Sequence, residues 1–191
     1  MAIINIKSKE RKPAALLFFM FFSIVSATIT GASVRDAVFL TQFDKSYLPV
    51  MFITIAVVMA GVIALYKKLT AGQDQIFVIS ISGALFSVSL FLLQSNLSGL
   101  FIPVLYIWME VVTILSIFQF WILAGEIFNA RQAKRIFTFL GAGGSFAGMG
   151  AGYGIKPFVS TFGSENLLFL TIFFIGLSVV MAQMLRPFRV S

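Results

Sequence analysis

Long apolar runs separated by short charged clusters set the rhythm of this chain. Nearly uninterrupted apolar stretches occupy 13–34, 48–66, 76–93, 99–125, 136–155 and 167–185. Each is close to the roughly 20 residues that a helix needs to cross the hydrocarbon of a bilayer. None alternates apolar and polar residues with the period of two that a membrane β-barrel strand shows. The pattern predicts an all-α, polytopic membrane protein. It would form one domain over 1–191, with six transmembrane helices.

The connections orient the bundle. If the N-terminus lies in the cytosol, the inner segments hold Lys7, Lys9, Arg11 and Lys12, then Lys67 and Lys68, then Arg131, Lys134 and Arg135, and last Arg186 and Arg189. The outer side keeps only Arg35, Lys45 and Lys156. Cytosolic membrane loops collect Lys and Arg, so both termini are expected in the cytosol and the protein in a bacterial cytoplasmic (inner) membrane.

Composition supports the same class. The chain is 59% apolar, 15% aromatic and 11% charged, against roughly 45–50% apolar and 25% charged in a soluble domain. The net charge of +7 would suggest nucleic acid in a soluble protein. Here the positive-inside bias explains it, and no nucleic-acid partner is expected. There is no Cys and no His, and only seven carboxylates. That leaves no thiol or imidazole for a metal centre or a nucleophile, so neither catalytic residues, a metal nor a cofactor is expected.

Candidate chemistry concentrates at a few positions. Glu110 is the one ionisable residue inside the predicted spans. A charge at the centre of a membrane helix costs about 2.5–3.5 kcal/mol on insertion scales, so it faces a cavity, pairs with a cation or carries a proton. At about 100° per residue, Tyr106, Thr113 and Trp121 share its helix face, whereas Gln119 lies about 180° away. Ser23, Ser26, Thr30 and Ser33 make a polar line on the first helix. That line either faces a cavity or serves interhelical packing. Arg35-Asp36 closes this span, either as a solvated helix end or as a cavity-facing cation for an anionic small-molecule substrate. On the fifth helix Gly144, Gly148 and Gly152 repeat every four residues. Such a ridge lets backbones approach closely and would dock a partner or a neighbouring helix of the same chain.

Three stretches resemble the nucleotide-transporter branch of the major facilitator superfamily, the ATP/ADP translocase type. They are Arg35-Asp36-Ala37-Val38-Phe39-Leu40 with Leu48-Pro49, Phe120-Trp121 with Phe128-Asn129-Ala130-Arg131-Gln132-Ala133-Lys134-Arg135, and the glycine-rich start of the fifth helix. The resemblance implies one six-helix half of a facilitator. In that half the first and fourth helices line the cavity, and the fifth packs on the other half. It implies Arg35 near anionic phosphate, and Arg131, Lys134 and Arg135 in a cytosolic gate. Two functions stay open. One is a transport half-module that needs a second half, from a homodimer or another subunit. The other is a non-transporting membrane subunit that anchors or scaffolds a larger complex.

Overall fold

The computed structural model describes residues 7–189, all of them helical or in short connections. Six α-helices follow one another: α1 (Ser8–Gln42), α2 (Leu48–Thr70), α3 (Gln75–Gln94), α4 (Phe101–Ile127), α5 (Ala130–Phe162) and α6 (Leu167–Met184). Two single turns of 3-10 helix, Lys45–Tyr47 and Arg186–Phe188, complete the regular structure among the described residues. Each predicted span lies within one of these helices or ends a residue or two from it. Five of them, all but α5, are long and apolar enough to cross a membrane. That is the architecture of an integral membrane protein. Glycine is the reason α5 falls outside the set, because it fills positions where the other helices carry Leu, Ile or Phe.

The ends of the helices are set by local polar chemistry. The backbone N–H of Lys7 donates to the Glu10 carboxylate at 3.0 Å and starts α1. Asp74 accepts from the Phe77 N–H at 2.9 Å and starts α3. Asn129 and Gln132 exchange side-chain bonds with each other's backbone N–H, both at 3.0 Å, in a reciprocal cap on α5. Gly72, at φ 75°, turns the chain between α2 and α3. Gly163, at φ 86°, ends α5. An L side chain would strain at either position.

Two helices overrun their expected limits. α1 continues past Arg35-Asp36 to Gln42, so this pair lies within a helix and does not end it. The stretch 35–47, expected as a loop, is helical for most of its length. α5 likewise carries Lys156 and Pro157 inside the helix, not in an outer loop.

α1 is the hub and packs along α4, α5 and α6. α3 packs on α6 and α4, whereas α2 leans chiefly on α4. One apolar core gathers Val34, Phe39, Leu90, Leu105 and Met109, and a second gathers Leu17, Met20, Phe120, Leu123 and Leu140. Close approach depends on small residues. A Cβ added to Gly31 would stand 1.9 Å from the Met109 Cε, and one added to Gly143 would stand 2.9 Å from the Phe18 carbonyl oxygen. The two ends of the described chain meet at one end of the bundle. There Glu10 contacts Gln132 and Arg135, and Arg189 pairs with Asp74 and Glu126.

Candidate functional site

Arg35 of α1 and Glu110 of α4 form an ion pair between the two helices. The Arg35 Nε also donates to the Asp36 carboxylate at 2.9 Å. Its guanidinium carbon lies 4.4 Å from the centre of the Tyr106 ring, a cation–π stack. Packing makes the cluster possible. Tyr106 is buried against Phe39 with ring centres 4.8 Å apart. Its face then supports a cation that would otherwise sit among apolar side chains. The Arg35 side chain is 11% exposed, Glu110 26% and Asp36 51%. Cation and carboxylates therefore grade from the bundle interior outward. With one guanidinium and two carboxylates, the centre carries a net charge of −1 when all are ionised.

Of the four residues expected on one face of the fourth helix, the structure brings Glu110 and Tyr106 together. The other two lie elsewhere. Thr113 lines a small void with Thr28, Ser116 and Ser178. Trp121 sits three turns away, about 16 Å along the helix axis. It packs against Phe21, Phe120 and Phe137 with ring centres 5.6, 5.1 and 5.0 Å away. Shared angle around a helix does not make residues neighbours when they differ this much in height.

The polar line of α1 is spent within the bundle. Ser23 and Ser33 donate to backbone carbonyls one turn back, at Phe19 and Ile29. Thr30 shares a hydrogen bond of 2.9 Å with Thr171 of α6. Ser26 and Thr30 also border a cavity of about 340 Å³ between α1, α5 and α6, whose walls are mostly apolar. Gln119 stands on the far side of α4 from Glu110, as its spacing requires. Its side chain bonds Ser82 of α3 at 2.8 Å, and its backbone carbonyl accepts from the Gln75 side chain at 3.3 Å.

The expected cytosolic cations separate. Arg131 is exposed. The Arg135 guanidinium reaches the Glu10 carboxylate at 3.4 Å. The side chain of Lys134 lies outside the described residues. Glu126, which precedes this basic segment in the chain, pairs with Arg189 at 2.9 Å. The glycine ridge divides in the same way. Gly144 lies against Phe21 of α1, where an added Cβ would stand 3.1 Å from the ring. At Gly148 and Gly152 an added Cβ would meet nothing within 4 Å. These two floor an open groove of about 640 Å³ with Ile29, Ile155 and Lys156.

No family profile, curated protein or solved structure matches this chain. The likeness to nucleotide transporters rests on its residues alone.

Sequence reading missed two tethers. Glu10 is 6% exposed although it stands in a basic, water-facing segment. It is buried because the starts of α1 and α5 abut, and Gln132 donates to it at 2.9 Å. Arg189 was counted only as an inner cation, and it ties the C-terminal turn to the start of α3 and the end of α4. A lone carboxylate three residues into a helix is the one sequence signal for the first. Nothing local signals the second.

Proposed function

We propose that this protein is a six-helix membrane transport half-module, resembling nucleotide transporters of the ATP/ADP type, in a bacterial cytoplasmic membrane. It would form its translocation path with a second half, either another copy or a different membrane subunit. The observation that carries this reading is the Arg35–Glu110 pair between α1 and α4, two of the five helices apolar enough to cross a membrane. Glu110 lies inside the fourth apolar run, and an ionisable group within a membrane helix is costly and marks substrate or ion pathways. An anionic substrate reaches Arg35 only by competing with Glu110 and Asp36.

The test is exchange of labelled ADP into membrane vesicles loaded with ATP, prepared from cells that express the chain. Uptake above that of empty-vector vesicles is expected, and Arg35→Gln should reduce it at least tenfold. Uptake equal to the empty vector, or uninhibited by Arg35→Gln, removes the reading.

The second reading is a non-transporting subunit that anchors a larger membrane complex. The buried Thr30–Thr171 hydrogen bond favours it, because it spends these two hydroxyls on holding α1 to α6. Under that reading Glu110→Gln alters assembly and no flux exists.

A further inference from the structure

We propose that the cleft between α2 and α3 is a binding site for one anionic phospholipid. Its acyl chain would lie on α3 and its phosphate at the Lys67 end of α2. The inference stands apart from the transport reading. Although a short turn joins these two helices, they barely touch, because α2 leans on α4 and α3 on α6 and α4. The splay leaves a groove of about 380 Å³. Phe77, Ile81 and Leu85 form its apolar floor, one helical turn apart, and all three are about half exposed. Thr70 and Gln73 form its polar end.

The charge is arranged for a phosphate at that end. Lys67 lies about 60° around α2 from Thr70, next to the groove's polar end, whereas Lys68 lies about 160° from Thr70, on the far side of the helix. Both are exposed, and among the described residues neither has an ion-pair partner. The nearby carboxylate, Asp74, is already engaged by the Phe77 N–H and by Arg189, which blunts its repulsion. The Tyr66 ring forms part of the wall, edge-on to Phe118, and its buried hydroxyl has no hydrogen-bond partner among the described residues. A hydrocarbon floor that ends at a lysine, a threonine and an amide matches the order of groups in a phospholipid. Basic pockets between membrane helices bind anionic headgroups in this way. A purely apolar partner helix would leave the lysine end unmatched.

The test is native mass spectrometry of the purified full chain in detergent, titrated with dioleoyl-phosphatidylglycerol, dioleoyl-phosphatidylcholine or glycerol 3-phosphate. One phosphatidylglycerol per chain is expected to persist at activation energies that strip phosphatidylcholine. Its occupancy should fall at least fivefold in Lys67→Gln/Lys68→Gln and in Ile81→Trp, which fills the floor. Ile81 faces outward, so the bulkier ring is tolerated, and Leu85→Trp is a second filling variant should Ile81→Trp prove polydisperse. Lys9→Gln/Lys12→Gln, an equal loss of charge elsewhere, should keep wild-type occupancy. The proposal is overturned by equal retention of the two lipids, by wild-type retention in both groove variants, or by an equal loss in the control pair. Binding of glycerol 3-phosphate as tight as that of the lipid would also overturn it, since the site would then be one for free phosphate. So would a co-purifying polypeptide displaced by Ile81→Trp.

Discussion

At the residue scale, the Arg35–Glu110 pair decides most of what can be tested. A surface pair contributes about 0–1 kcal/mol, whereas removing one member of a buried pair costs about 3–5 kcal/mol. Side-chain exposures of 11% and 26% place this pair between the two limits. Arg35→Met should therefore cost about 2 kcal/mol, because it leaves Glu110 without its cation and takes a charge off the Tyr106 ring. Adding Glu110→Gln to that variant should recover part of the loss, since the unpaired carboxylate is then gone. The check is a double-mutant cycle on thermal unfolding in detergent. Strictly additive losses would mean that the two side chains do not interact. Glu110 was legible in the sequence as the single charge in the apolar runs. Its partner was half legible. Arg35 was visible as a candidate cation, but nothing in a linear pattern says that a residue seemingly at the end of a span reaches inward to a helix 75 residues on.

At the element scale, helix identity was legible and helix length was not. Apolar runs locate the hydrocarbon-crossing part of each helix, but the caps that close it lie in the polar flanks. This is why α1 extends to Gln42 and α5 runs from Ala130 to Phe162. One such cap gives a pH prediction. The Asp74 carboxylate is held below the usual aspartate value chiefly by the Phe77 N–H, which outweighs the opposing effect of burial, with a lesser contribution from Arg189. A depressed value means that the stabilisation is fully present above the unfolded aspartate value and is lost as pH falls through the folded one. The melting temperature should thus decline below about pH 4. Asp74→Asn keeps the cap and should flatten this decline, whereas Asp74→Ala should cost about 1 kcal/mol at neutral pH. An unchanged acid limb in Asp74→Asn would assign the decline to other carboxylates. The glycines of α5 give a second contrast. Gly143→Leu drives a side chain toward the Phe18 carbonyl and should cost about 1–3 kcal/mol by overpacking. Gly148→Leu enters open space and should leave the monomer's melting temperature unchanged. Equal losses at both sites would mean that the α5–α1 packing described here is wrong. The spacing of the glycines showed that a close contact exists. It did not show that the contact is split between an internal and an open half.

At the scale of the whole molecule, the charge bias and the geometry make separate statements that one labelling experiment joins. The tethers at Glu10 and Arg189 put both described chain ends, the starts of α3 and α5 and the end of α4 at one pole of the bundle. The basic segments 7–12, 67–68 and 131–135 lie at the same pole, and the positive-inside rule assigns it to the cytosol. In this Cys-free chain, single cysteines at Gln73 and Asn96 flank α3, a helix of 20 residues and so about 30 Å long. They should be labelled from opposite sides of the membrane, and labelling from the same side would overturn the topology. The remaining question is what covers the open half of the glycine ridge. Lipid is as apolar as a partner helix, so hydrophobicity gives no reason to cover it. Close backbone packing and the loss of ordered lipid do. The proposed transport reading would need an opposite wall for its path, and Gly148 and Gly152 line the open groove between α5 and α1. We therefore expect a second membrane subunit or a second copy seated there. Extraction of the wild type in native lipid should give a particle heavier than one chain, and Gly148→Leu should return it to one chain while the melting temperature holds. A wild-type particle with a single copy and no partner would remove the half-module and the scaffold readings together, because each requires a neighbour on this face.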